Sequence, residues 1–141
     1  MKKISILIPA YNEEAVLDTL YTRLGTLANE LKKYDFEFLF VNDGSRDKTL
    51  KIIREFADID TRVSYVNLSR NFGKEIAMIA GLDHVTGDAT VIIDADLQDP
   101  PELIPEMIKH WEDGYDDVFA RRNSREGETW FKKWSSKTFY Q

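Results

Sequence analysis

Five short runs rich in β-branched and aromatic residues alternate with longer segments of helical period, and this alternation constrains the fold more than any other feature of the chain. The runs are KISILIP (3–9), FEFLFVN (36–42), VSYVNL (63–68), ATVIID (89–94) and DDVFAR (116–121). Between them, the apolar spacing predicts helices over Glu13–Lys33, Asp47–Asp58, Gly73–Val85 and Pro100–Asp113. Strand–helix–strand repeats join parallel neighbours through right-handed crossovers, so the expected fold class is α/β, a mostly parallel Rossmann-like sheet flanked by helices. Ligands of such sheets bind beyond the carboxyl ends of the strands, which directs attention to the loops there.

A chain of 141 residues, 43% of them hydrophobic, is long enough for one domain with its own core. It has no cysteine, which excludes disulfides and thiolate metal sites and fits a reducing compartment. His84 and His110 fall inside helical segments with no partner at ligand spacing and read as ordinary residues. The apolar start MKKISILIPA reaches Pro9 too soon for a secretion signal and reads as a strand. No run approaches the roughly 20 apolar residues of a membrane helix, so these residues are expected to be soluble or peripheral. Net charge is −6, but from Arg121 onward six Lys or Arg face two Glu, a local +4 that leaves −10 for residues 1–120. An acidic body with a basic end argues against nucleic-acid binding, which wants a broad positive face, and permits an acidic metal pocket.

Polar groups collect at the strand ends four times over, in PAYNEE, VNDGSRDKT, LSRNFGKE and DADLQDPPE. In the last of these, Asp94, Asp96 and Gln98 alternate as the chain leaves its strand, and an extended backbone would converge their side chains on one side. Oxygen ligands crowded in this way suit Mg²⁺ or Mn²⁺, with substrate phosphate completing the shell. Asp99, followed by Pro100 and by Glu102, reads instead as a helix N-cap with a capping-box partner. Asp43 sits in a tight turn where it could accept a base N–H. Tyr11 offers a ring for a base, and Glu13 a carboxylate.

In this order IPAYNEE, VNDGSRDKT, LSRNFGKE, DADLQDPPE and REGE resemble, over essentially the whole chain, the family 2 glycosyltransferases of the GT-A fold. Within them the motifs are similar to the branch that moves a sugar from a nucleotide sugar to a polyprenyl phosphate, the dolichyl-phosphate mannose synthases and bactoprenol glucosyltransferases. The resemblance implies that Pro9, Ala10, Tyr11, Glu13, Val41 and Asp43 hold the nucleoside, and that Asp94 and Ala95 lie against ribose and diphosphate. It implies that Asp96 and Gln98 ligate the metal with Asp94 close by, making Asp94 and Asp96 the catalytic pair. It also places Arg122, with Arg125 as a second, on the diphosphate. Family members invert at the sugar carbon. The implied donor is a UDP-sugar with GDP-sugar the alternative, the acceptor a polyprenyl phosphate, and the location the cytoplasmic face of the cell membrane.

A phosphate acceptor is largely dianionic at neutral pH and needs no protein base. A hydroxyl acceptor would, and Glu126 and Glu128 are the remaining candidates. The tail TWFKKWSSKTFYQ places Trp130, Phe131, Trp134 and Thr138 on one face of a helix beside Lys132, Lys133 and Lys137, the pattern of an interfacial membrane helix; the same aromatics could pack onto the sheet. Residues 1–122 are accordingly expected to form the nucleotide-sugar core and 123–141 a basic, aromatic segment leading into further catalytic domain. On that expectation this stretch binds nucleotide sugar without the acceptor segment, and by itself turns nothing over.

Rival readings lack their marks. A dinucleotide-binding dehydrogenase would carry G-x-G-x-x-G where PAYNEE stands. A phosphohydrolase built on Asp-x-Asp would place a small or hydroxyl residue where Leu97 and Gln98 stand. A non-catalytic partner domain with a structural cation is the other alternative, and metal-dependent nucleotide-sugar binding separates it from a transferase.

Overall fold

The computed structural model describes residues 1–98 and 100–114, together with the backbone of 117–122 and 129–134. The chain divides into two compact units, Met1–Pro101 and Glu102–Gln141.

In the first unit, β1 (Lys2–Ala10), α1 (Leu17–Glu30), β2 (Tyr34–Asn42), α2 (Thr49–Ile59), β3 (Val63–Asn67), α3 (Lys74–Leu82) and β4 (Ala89–Ile92) follow one another. The strands form one parallel sheet in the order β3-β2-β1-β4. Every residue of β1 from Ile4 to Ala10 is buried, as a central parallel strand with both faces covered must be. Side-chain alternation sorts the core. Leu7, Leu39 and Val41 pack with Ala77 of α3 on one face. Ile6 and Ile8, in register with Phe38 and Phe40, face the other way, where Phe40 lies 5.9 Å from Phe56 of α2 and Tyr21 of α1 stacks on that ring at 4.2 Å. Each such side chain, fully buried, contributes roughly 1.5–3 kcal/mol. Gly81 lets α3 come this close: a Cβ there would fall 2.2 Å from Cδ1 of Leu7 and 2.9 Å from Cγ2 of Val41.

Two features of this sheet position the site. First, β2 and β3 extend the sheet on one side of β1 and β4 on the other, so the order reverses between β1 and β4, where a crevice opens at the carboxyl ends. Second, β4 is anchored at its far end. The Ser5 hydroxyl donates to Glu37 and accepts the Gly87 N–H at 2.8 Å, while Glu37 also accepts the Thr86 N–H at 3.0 Å. Burial pushes the Glu37 carboxyl up, but these hydrogen bonds and the nearby Lys3 charge outweigh it and hold it below its ordinary value.

The second unit contains a 3₁₀ turn (Pro101–Leu103), α4 (Ile104–Glu112), β5 (Asp117–Arg122) and β6 (Thr129–Trp134). Two expectations are corrected here. β5 does not extend the parallel sheet; it pairs antiparallel with β6, Asp117 opposite Trp134 and Arg122 opposite Thr129. Over Thr129–Trp134 the chain is a strand, not an interfacial helix. Thr, Trp and Phe make up four of those six residues and are strong strand formers, and a paired neighbour overrides a helical period read from so short a stretch. The remainder of that predicted helix, Thr138 included, and the proposed cap Asp99 lie outside the described residues. Helical geometry begins at Pro101, one residue later than the capping pattern implied.

Candidate active site

The crevice is a cavity of about 290 Å³ lined by Pro9, Ala10 and Tyr11 from the end of β1, Glu13, Asp43 after β2, Asn71, Gly73 and Lys74 leading into α3, and Asp94, Ala95 and Asp96 after β4. All of it belongs to the first unit.

The loops after β1 and β2 are built against each other. Asn12 has φ +52°, a left-handed conformation that asparagine tolerates better than most residues. Its N–H donates to Oγ of Ser45 at 2.9 Å, and its Oδ1 accepts the Arg46 N–H at 2.8 Å. Glu13 N–H donates to Oγ1 of Thr49 at 2.8 Å, and Glu14 N–H to Oδ2 of Asp47 at 3.2 Å. Lys48 N–H returns to Oε2 of Glu14 at 3.1 Å. Side chains of one loop thus satisfy backbone donors of the other, fixing Tyr11 at the rim, where the residue is 42% exposed, as a stacking platform requires.

The third loop is held by Asp43. Its buried carboxylate accepts the N–H groups of Phe72 (2.8 Å) and Gly73 (3.1 Å) and the Asn71 amide at 3.3 Å. These occupy three of the roughly four acceptor positions of a carboxylate, leaving room for one more donor. The neighbouring Gly44 has φ +67°, and a Cβ there would lie 2.2 Å from the Arg70 carbonyl carbon and 2.3 Å from the Asn71 nitrogen.

After β4 the chain does not stay extended, as the alternation of Asp94, Asp96 and Gln98 had assumed. Leu97 turns it with φ +65°, a rare conformation for so bulky a residue that costs of order 1–3 kcal/mol. Oδ1 of Asp96 accepts the Gln98 N–H at 3.1 Å, closing a turn around it. Asp94 and Asp96 both line the cavity; Gln98 does not. Asp94 is paired through Oδ2 with Nζ of Lys74 at 2.7 Å.

The electrostatics are those of an acidic pocket. Burial pushes the Glu13 carboxyl above its ordinary value, and the charges of Asp96, Asp47 and Asp94 push it further. Among the described residues no three His, Cys, Asp or Glu side chains gather as a complete metal cage. Two carboxylates lining one cavity, those of Asp94 and Asp96, nevertheless fit Mg²⁺, which takes one or two carboxylates and draws its other ligands from phosphate and water.

Of the residues singled out in the sequence, Pro9, Ala10, Tyr11, Glu13, Asp43, Asp94, Ala95 and Asp96 come together in this cavity. The Val41 side chain is fully buried in the core. Arg122 lies in β5 of the second unit, where only backbone is described, and Arg125, Glu126 and Glu128 lie outside the described residues.

The sequence profile described as Glycosyl transferase family 2 matches residues 5–141. The chain belongs to glycosyl transferase family 2. An uncharacterized glycosyltransferase of Bacillus subtilis is 52% identical over 137 residues, 97% of this chain and 42% of that protein. A bactoprenol glucosyl transferase of Shigella phage SfX is 45% identical over 139 residues, 99% of this chain and 45% of that protein. The chain spans less than half the length of these curated relatives. Among solved structures, a mannosyltransferase from Pyrobaculum calidifontis in complex with GDP-Man and Mn²⁺ superposes with a TM-score of 0.72 at 23% identity, over 87% of this chain and 36% of that one. The parallel sheet is therefore the GT-A sheet.

Within this family 2 site, sequence reasoning passed over Asn71, Gly73 and Lys74. Their loop is polar in sequence, but the signal that they face the cavity is the Asp43 carboxylate, whose partners only the fold reveals.

Proposed function

We propose that the cavity binds a nucleotide diphosphate sugar, and that the complete protein transfers the sugar with inversion to a polyprenyl phosphate at the cytoplasmic face of the cell membrane. The observation that carries this reading is the convergence of Asp94 and Asp96 with the Tyr11 ring and Asp43 in one crevice at the switch point of a GT-A sheet. Tyr11 would pack against the base, and the spare acceptor position of Asp43 would receive a base N–H. Asp94 and Asp96 would hold Mg²⁺ or Mn²⁺, which when bound supplies neutralisation of the diphosphate charge as the sugar departs. A phosphate monoester, with a second pKa of about 6, attacks without a protein base, and single displacement at the sugar carbon inverts its configuration. The base is read as uracil by resemblance to the bacterial bactoprenol glucosyl transferase branch, with guanine the alternative.

The test is calorimetric titration with UDP-glucose, UDP and GDP, each with and without Mn²⁺, beside Asp96→Ala. Metal-dependent uptake of a uridine nucleotide that disappears in the variant is the expected result. Preference for GDP would overturn the assignment of the base, and binding indifferent to both metal and Asp96 would overturn the site.

A further inference from the structure

Among the described residues that line the cavity, Lys74 alone is cationic, set against Glu13, Asp43, Asp94 and Asp96. It is the first residue of α3, and its backbone is fixed because Phe72 and Gly73 just before it are tied to Asp43. Its side chain is 58% exposed and reaches across the crevice to Asp94, whose own side chain is 29% exposed. A rigid base carrying a mobile ammonium on a four-carbon stem is suited to exchange one oxygen partner for another.

We propose that Lys74 is the resident counter-ion of Asp94 and moves to the diphosphate when nucleotide enters. This inference rests on reading the cavity as a nucleotide diphosphate site. The ammonium lies 2.7 Å from Oδ2 of Asp94, one of the two carboxylates that would hold a divalent cation, so Lys74 competes with a cation arriving alone. A diphosphate arriving with the cation brings phosphate oxygens of its own. The ammonium then has a second anionic partner within reach, Asp94 is released, and Lys74 aids binding instead of opposing it. The same side chain acts with opposite sign on metal alone and on metal with nucleotide. That reversal discourages occupation of the pocket by a bare cation and couples metal uptake to donor uptake.

The experiment titrates the full chain, as wild type, Lys74→Met and Lys74→Arg, first with Mn²⁺ alone and then with UDP at saturating Mn²⁺. Met preserves the length and apolar character of the stem, and the site is exposed, so all three proteins should share one circular dichroism spectrum. Lys74→Met is expected to bind Mn²⁺ alone about two- to fivefold more tightly, the scale of a partly exposed ion pair. It should bind UDP with Mn²⁺ roughly tenfold more weakly, the scale of a lost charge-assisted hydrogen bond to phosphate. Lys74→Arg should restore the UDP affinity. Lys74→Met binding Mn²⁺ alone no more tightly than wild type, or unchanged UDP affinity, or changes of the same sign in both titrations, would overturn the inference while leaving the nucleotide site standing. Wild type that takes up no UDP with Mn²⁺ would instead overturn the nucleotide reading, and this inference with it.

Discussion

The carboxylate of Asp43 receives the backbone N–H of Phe72 at 2.8 Å, across 29 residues of chain. One buried side chain thereby ties the loop after β2 to the loop that carries Asn71, Gly73 and Lys74. Asp43→Asn keeps the shape but turns an amide donor toward groups that are themselves donors. It is expected to cost about 1–3 kcal/mol, read as a lower urea midpoint. Unchanged stability would mean that the third loop is held by something else.

Gly44→Ala tests the same junction from the backbone side. The left-handed φ of +67° costs an alanine about 1–2 kcal/mol, and its Cβ would meet the backbone of Arg70 and Asn71, which no side-chain rotation relieves. A loss of roughly 2–4 kcal/mol is expected in thermal or urea melts, among the larger effects of a single methyl group.

Glu13 supplies a pH test. Its carboxyl is raised above 4.5, chiefly by burial and then by Asp96, Asp47 and Asp94, so the folded state holds this proton more tightly than the unfolded state does. Stability associated with the protonated form is therefore lost as pH rises above 4.5 through the folded value. Glu13→Gln should match wild type in acid and exceed it above that window. Urea midpoints measured across the range check this, and parallel curves for the two proteins would contradict it.

Asp60 works in the opposite sense. It accepts Nε and Nη2 of Arg62 at 3.0 and 2.9 Å and the Tyr21 hydroxyl at 2.7 Å. The Arg62 hydrogen bonds, opposed by burial and assisted by Tyr21, lower its carboxyl from 3.8 to about 2. The corresponding stability, on the order of 2 kcal/mol, is complete above pH 3.8 and lost as pH falls toward 2. Asp60→Asn should flatten the acid limb of the stability curve without changing nucleotide binding, since Asp60 is not among the residues lining the cavity.

Sequence and structure agree where burial is two-sided. Runs such as ISILIPA and FEFLFVN have few alternatives to central parallel strands, and the strand ends then converge without further instruction. Agreement weakens where one residue overrides a pattern. Leu97 adopts a conformation that no propensity assigns to leucine, and it breaks the alternation that would have brought Gln98 beside Asp96. Links such as Asn12 with Ser45 join side chains to backbone across 33 residues, and nothing local announces them. Lys74 belongs to the motif LSRNFGKE, but its pairing with Asp94 depends on two loops meeting in space. The aromatic run at 129–134 carried two periods at once, and pairing with β5 selected the extended one.

The central position of β1 has a consequence for how this protein is made. β1 precedes both of its partners in the chain, and its pairing with β4 begins only at Asp88, 85 residues after Lys3. At the usual 5–20 residues per second of synthesis, this central strand waits roughly 4 to 17 seconds for its second neighbour. Its second hydrogen-bonding edge is open throughout that interval, with no hairpin partner nearby to shield it. The greatest hazard of aggregation therefore falls during synthesis, and melting the finished protein would not register it.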